Sequence, residues 1–527
     1  MRRRDRVILT VLVVSGLALV GRFADWWFRS SHVAEPSLYV VLSLAVWYGV
    51  MRVVIGWIDV VRVTAPEHVA PPPGLSVAIF TTSSPGEPLE MFEKTLAACA
   101  RVRHPHATYL LDDTRDPRFR ELAARHGAVW LELVGLPGAK AGKINAAVAR
   151  TREDFILVLD PDHVPFPCFL ERVLGHFGDP EVGFVQVAQA YYNQPRSFVA
   201  RGAAEQTYSF YGPLQMGLAG HGAAVAIGAN CTFRRSALES IGGHGIGLAE
   251  DLVTSIRLHA AGWRSVYVPE VVSRGLVPEE LGSFYKQQLK WARGVWEVLF
   301  SELGPAFRGL GWRQRFSYAT IATYYLSGVT TPMYLLIPYL YLWLGLQPAA
   351  MHFEEFVTVG GPVAAVGVAA YLFAQRWLCH PEAERGLHWR GLMLKVACWP
   401  VFLVGTALAV LRASVPYIPT EKRARQGRFL RLAWPHLLLA VVYSITLGWT
   451  LHARLLRTPE AQLVLTSEAV WGMVGFASLA VTLAAGGIVA AWQARSPPAG
   501  VPWDSIEIER IDERPVSDPP PPSVPRD

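Results

Sequence analysis

Seven apolar stretches, each about 20 residues long and so able to cross a bilayer as a helix, divide this chain unevenly. They are Val7–Phe23, Leu38–Trp57, Ile321–Leu346, Phe356–Phe373, Leu392–Leu411, Leu432–Leu451 and Ala469–Trp492. Two precede and five follow an interval of about 260 residues, Asp59 to Tyr318, long enough for one large α/β unit with its own core. With 51% hydrophobic residues, the chain is too apolar for an ordinary soluble enzyme. It reads as a membrane protein with a soluble block inserted between spans. The expected divisions are a membrane hairpin over 1–58, the block over 59–318, a second membrane region over 319–495 and a disordered, Pro-rich tail over 496–527.

Charge gives the orientation. The net charge of +6 is modest, and the basic residues cluster beside apolar segments, as at Arg2-Arg3-Arg4 and Lys422-Arg423-Ala424-Arg425. That pattern fits the cytoplasmic face of a membrane. Without an aromatic-basic stacking motif it does not point to nucleic acid. The N-terminus resembles a signal peptide, but Gly21-Arg22-Phe23-Ala24-Asp25 makes a poor cleavage site, so a retained anchor is expected. With Arg2-Arg3-Arg4 inside, two spans return the block to the cytoplasm. If Leu392–Leu411 also crossed, the basic run from Lys422 would lie outside, against the charge rule. That segment is therefore expected to lie in the interface or re-enter the membrane, leaving six spans and a cytoplasmic C-terminus. The five cysteines are scattered without a CxxC and suggest neither a disulfide framework nor a zinc site.

Within the block, short apolar runs alternate with helical spacing. Leu75–Phe80, Thr108–Leu111, Ala128–Val134 and Phe155–Leu159 read as strands, and Leu89–Val102 as a helix. This alternation implies a mostly parallel, doubly wound sheet, whose ligands sit beyond the carboxyl ends of its strands. Two acidic pairs fall there. Asp160-Pro161-Asp162-His163 follows one strand, and Asp112-Asp113 ends another. Paired carboxylates one residue apart suit a hard divalent cation, which can bridge to a diphosphate leaving group. The bland alternative is a solvated loop. Asp112-Asp113 can accept hydrogen bonds from a base or ribose, or cap the helix that follows.

Three further elements carry chemistry. Lys140-Ala141-Gly142-Lys143-Ile144-Asn145 opens a helix, where lysines oppose the dipole unless an anion relieves them. Glu250-Asp251 begins another helix, as a cap or as the general base that a poorly nucleophilic sugar hydroxyl needs. Gln287-Gln288-Leu289-Lys290-Trp291 precedes the third span, where Trp291 is an interface residue or a platform for a sugar ring.

In this order the motifs resemble those of the processive family-2 inverting glycosyltransferases, the group of cellulose, curdlan, chitin and hyaluronan synthases. Bacterial cellulose synthase catalytic subunits are the most similar, over roughly residues 40 to 450. The resemblance implies a Rossmann-like GT-A domain in the cytoplasm, inserted in a multi-span helical membrane domain. It implies that Asp113, with Asp112 beside it, contacts uridine, that Lys140 and Asn145 lie on the nucleotide side, and that Asp160 and Asp162 hold Mg²⁺ or Mn²⁺. Asp251 matches the general base, after Glu250. Gln287 and Lys290 would face the donor pyrophosphate and Trp291 the acceptor. Tyr417, Thr420 and Lys422, within 412–431, resemble the gating loop that closes over the donor.

The sequence departs from the family at several of these places. Lys290 stands where Arg is usual, giving up the bidentate fork, and Ala249 replaces a Thr before Glu-Asp. Ile227-Gly228-Ala229-Asn230 lacks a Cys near the acceptor end. The expectation is a β-glucan polymerase using UDP-glucose, with accessory subunits as further partners. Its rivals are a non-processive transferase acting on a lipid and an inactive membrane scaffold or transporter.

Overall fold

The computed structural model describes residues 1–413, 429–456 and 467–493. The gating-loop residues Tyr417, Thr420 and Lys422, and the tail from 496, lie outside these.

The block folds around a seven-stranded sheet of order β3-β2-β1-β4-β7-β6-β8. Its strands are β1 (Val77–Thr82), β2 (Ala107–Asp112), β3 (Val129–Glu132), β4 (Phe155–Leu159), β6 (Val182–Val187), β7 (Cys231–Arg234) and β8 (Arg264–Val268). Pleating sends alternate side chains to opposite faces. Val77, Ile79, Phe155 and Leu157 enter one core, while Ala78, Phe80, Ile156 and Val158 enter another. Both faces are covered, which is why β1 and β4 are continuous apolar runs rather than alternating ones. β3, β2, β1 and β4 are mutually parallel. β7, however, runs antiparallel to both β4 and β6, so β6 and β8 keep the direction of β4 and β7 is the one reversed strand in an otherwise parallel sheet. The chain winds outward from β1 to β3 and then returns to β4 on β1's other side. That reversal opens a crevice beyond the carboxyl ends of β1 and β4. A second, two-stranded sheet pairs β5 (Val164–Pro165) with β9 (Ser273–Arg274).

Among the described residues, five helices are long and apolar enough to cross a membrane: Arg3–Trp27, Pro36–Val61, Phe353–Trp377, Trp434–His452 and Val470–Gln493. The expected third span differs. It is built of a helix over Trp312–Thr323, a 3₁₀ turn over Tyr324–Leu326 and a helix over Ser327–Leu344 carrying Pro332 and Pro338. Its Tyr, Thr and Pro residues lower its hydropathy, yet it runs alongside Pro36–Val61. The Tyr334 hydroxyl donates to Ala45 O, and the Tyr48 hydroxyl reaches Thr323 O and Tyr324 O at 3.0 Å. The ends of the helices are matched. Ala34 N donates to Pro348 O and Ala350 N to His32 O, joining the turns at one end. At the other end Arg376 pairs with Asp5.

Leu392–Leu411 is broken into Trp389–Ala397 and Trp399–Val410, bent by 44°. The first piece lies against the α/β block: Gly391 N donates to the buried Glu205 carboxylate at 3.0 Å, and Gly202 sits under Leu394. The second packs on helix Leu281–Ser301, where Trp296 Nε1 donates to Thr406 Oγ1 at 3.0 Å.

Candidate active site

The loop after β4 is clamped from three sides. His163 N donates to Asp160 O at 3.0 Å and closes a turn. Thr95 Oγ1 donates to Pro161 O at 2.7 Å. The β5–β9 pair then brings Leu276 N within 3.0 Å of Asp162 Oδ2. Asp162 is thereby buried, while Asp160 keeps 32% of its side chain exposed. The His163 ring lies flat on Gly275, where any Cβ would come within 2.5 Å of it. One ligand atom each from Asp160, Asp162 and His163 falls within 4.8 Å of the others. His163 Nδ1 lies 3.5 Å from Asp162 Oδ1, and neither ring nitrogen has a hydrogen-bond partner among the described residues. Two carboxylates and an imidazole form a donor set that fits a divalent cation. His163 stands inside the motif read from the sequence, but its role needs the ring's placement.

Helix Ala139–Val148 begins after Gly138, whose φ of 87° is a left-handed conformation that suits glycine. Its first turn aims Lys140 at the crevice, where the ammonium pairs with Asp160 and donates to Gly228 O. One turn on, Lys143 is 2% exposed. It donates to Ser83 O at the end of β1, reaches Ser84 Oγ at 3.2 Å and lies 3.8 Å from Asp113. Burial lowers its pKa, and the Asp113 carboxylate opposes that shift. No sequence signal assigns Lys143 a role; the structure buries it between the ends of β1 and β2.

The acids after β2 differ from one another. Asp112 is 1% exposed. Its carboxylate accepts from Ser83 Oγ at 2.5 Å, Thr114 N at 2.9 Å, Thr114 Oγ1 at 2.7 Å and Trp130 Nε1 at 2.9 Å. Asp113 keeps 28% of its side chain exposed and accepts from Gly135 N at 3.0 Å. Of the two, Asp113 faces the crevice and Asp112 braces the strand ends. Asn145 is likewise engaged within the protein. Its amide donates to His244 O at 2.9 Å and accepts from His244 N at 2.7 Å. It fastens the loop leading to Glu250-Asp251 rather than presenting its amide to a ligand.

Asp251 opens helix Glu250–Ala260, with Glu250 buried beside it. Its Oδ1 accepts from Leu252 N at 2.8 Å. A Cβ on Gly228 would lie 3.3 Å from its Oδ2. Gly228 therefore separates Asp251 from Lys140, and Lys140 joins Gly228 to Asp160. Burial, reinforced by the Glu250 charge, pushes the Asp251 pKa up to about 7, against the pull of Lys290 and Lys140.

Helix Leu281–Ser301 is capped by Glu280, whose carboxylate accepts from Ser283 N at 2.9 Å and from Gly282 N. Gly294 lets it press onto Leu248 and Ala249, just before Glu250; a Cβ there would meet Ala249 at 2.9 Å. On this helix Gln287, Gln288 and Trp291 line a small cavity with Tyr191, Thr207 and Leu276. Leu276 is the residue whose amide holds Asp162, so the cavity adjoins the loop after β4. Tyr191 and Tyr211 both donate to Gln189 Oε1, at 3.2 and 2.8 Å. That network beside the site had no motif to reveal it.

The fold is a GT-A-like α/β domain joined to helices long and apolar enough to cross a membrane, and residues 155–353 match the family model described as glycosyl transferase family group 2. The chain is similar in sequence to cellulose synthases among the family-2 glycosyltransferases. It is 30% identical over 365 residues to cellulose synthase 1 of Komagataeibacter xylinus, covering 65% of this chain and 23% of that protein. It is 25% identical over 523 residues to the cellulose synthase catalytic subunit [UDP-forming] of Pseudomonas fluorescens (strain SBW25), covering 94% and 68%. The chain thus spans about a quarter of the first of these relatives. A mannosyltransferase from Pyrobaculum calidifontis, solved with GDP-Man and Mn²⁺, shares the fold with a TM-score of 0.50 at 16% identity, over 72% of this chain and all of that one.

Proposed function

We propose that the chain is an inverting, processive glycosyltransferase that polymerises a sugar from a nucleotide-diphosphate donor, UDP-glucose, into a β-glucan. The observation that carries this reading is the convergence of Asp160, Lys140, Gly228 and Asp251 into one contiguous line beyond β4. Asp160, a candidate cation ligand, and Asp251, a carboxylate whose pKa burial raises, stand on either side of Lys140 and Gly228, which supports assigning them to the two ends of a glycosyl transfer. A divalent ion held by Asp160, Asp162 and His163 would neutralise charge on the departing diphosphate. The Mn²⁺ of the mannosyltransferase and the UDP-forming relative support that ion and that donor. Asp113 and Lys143 lie beyond β1 and β2, where a nucleoside would sit. Asp251 takes the proton of the acceptor hydroxyl, the oxygen attacks the anomeric carbon, and the diphosphate leaves with the bonding pair. Trp291 holds the acceptor end at the cavity mouth, with Gln287 beside it facing the donor pyrophosphate.

In this reading the block faces the cytoplasm and the polymer leaves between the helices. The Asp5–Arg376 pair supports that orientation, because it puts the basic N-terminus and the end of Phe353–Trp377 on one side.

The test is to incubate membranes containing the chain with a panel of radiolabelled nucleotide sugars and to digest the product with linkage-specific hydrolases. Long, alkali-insoluble material made from UDP-glucose is expected. Short glycolipids would establish the non-processive alternative, and no transfer from any donor would leave a scaffold.

A further inference from the structure

Two cations share one aromatic ring where the membrane helices meet the α/β block. Lys395 Nζ lies 4.9 Å from the Tyr324 ring centroid, and Arg52 Cζ lies 5.8 Å from it. They arrive from different elements: Arg52 from helix Pro36–Val61, Lys395 from helix Trp389–Ala397, and the ring from the 3₁₀ turn between Thr323 and Ser327. Arg52 is held in place by Thr320 O at 2.7 Å and Thr323 Oγ1 at 3.3 Å. Those partners are neutral, and among the described residues no carboxylate forms an ion pair with either cation. Elsewhere in the same region charges are matched, as in Arg376–Asp5 and Arg390–Glu205.

The surroundings are apolar and open. Leu392 and Trp389, on the helix that carries Lys395, are 57% and 48% exposed, and Met51 beside Arg52 is 38% exposed. Two positive charges with no ion-paired carboxylate among the described residues, beside exposed apolar side chains, describe a site whose missing half is an anion with a hydrocarbon body.

We propose that an anionic phospholipid binds here, its phosphate between Arg52 and Lys395 and its acyl chains along the exposed apolar residues of the two helices. This goes beyond the glycosyl-transfer reading and does not depend on it. Cationic side chains near a membrane surface attract anionic headgroups, and Lys and Arg keep their charged ends at that depth by extending along apolar surface. Bound there, the lipid would bridge helix Pro36–Val61 to the bent pair that contacts both the α/β block and helix Leu281–Ser301.

The full-length protein, purified in detergent, would be exchanged into nanodiscs of phosphatidylcholine alone or of phosphatidylcholine with phosphatidylglycerol. Lipid retained after stripping would then be read by native mass spectrometry. Wild type is expected to retain phosphatidylglycerol selectively. Arg52→Gln or Lys395→Gln should cut that retention about fivefold each, and the double variant on the order of 25-fold. Lys395→Arg, which keeps the charge on an exposed position, should retain the lipid and serves as the folding control. Inorganic phosphate added to phosphatidylcholine discs should not itself be retained as an adduct lost in Lys395→Gln; if it is, the ligand is free phosphate and the proposal fails. Equal retention of both lipids by wild type, or unchanged selectivity in Lys395→Gln, overturns it as well. Sugar transfer is not a readout, so loss of the enzymatic reading leaves this result standing.

Discussion

Two strands of one sheet end in acidic pairs, and the structure uses them oppositely. Beyond β2, Asp112 is sealed in by Ser83, Thr114 and Trp130, with neutral donors on both oxygens. Beyond β4, Asp160 meets the Lys140 ammonium, and Asp162 meets the His163 ring and one backbone amide. A carboxylate given several neutral donors is a structural part, because removing it leaves buried groups unsatisfied. Carboxylates grouped with an imidazole lacking hydrogen-bond partners retain ligand capacity, because a cation can join them without displacing the fold. Proximity of two acids in sequence therefore says little until the donors around each are known.

This contrast can be broken most sharply at Asp162. Asp162→Ala should abolish Mn²⁺ binding by isothermal titration and lower sugar transfer by on the order of 10³-fold, since a metal contributes several kcal/mol to the developing charge. Unchanged metal affinity would show that the β4 pair is as structural as Asp112. Asp251→Asn should lower turnover by about 10²-fold to 10⁴-fold with nucleotide affinity preserved; near-normal turnover would remove it as the base. In the wild type, the base form of Asp251 accumulates as pH rises through about 7, because burial holds its proton to that point. The rate should accordingly climb across that pH and fall below it, and the inflection should vanish from the residual activity of Asp251→Asn.

The β2 pair sharpens the comparison through stability. Asp112→Ala strands the Trp130 and Ser83 donors and should cost about 1–3 kcal/mol, seen as faster thermal inactivation; an unchanged rate would mean that the network carries no weight. Asp113→Asn is the smallest effect. It should raise the nucleotide-sugar KM by about tenfold or less while stability stays within about 0.5 kcal/mol. A larger loss of stability than from Asp112→Ala would reverse the roles assigned to the two.

Much of the architecture was legible because its signals are local. Continuous apolar runs marked β1 and β4, and windows of about 20 apolar residues marked five helices. The helix Ser327–Leu344 was anticipated as a span although its Tyr, Thr and Pro content dilutes the signal; the Tyr334 hydroxyl is satisfied on Ala45 O of the neighbouring helix. The reversal of β7 was not legible. Strand direction depends on which neighbour a strand pairs with, and Cys231–Arg234 is too short to announce its partner.

The residue types able to do this chemistry, and their order along the chain, were determined by the sequence alone, because carboxylates, ammonium groups and a tryptophan each carry their chemistry wherever they stand. Which of them face one another was decided by the tertiary structure. Asn145 turned to a loop, Asp112 to its own strand ends, and Lys143 and His163 entered the site unassigned. The physical reason is that function here depends on distance, burial and countercharge, and those belong to pairs of residues brought together by the fold, as Asp160 and Asp251 are through Lys140 and Gly228.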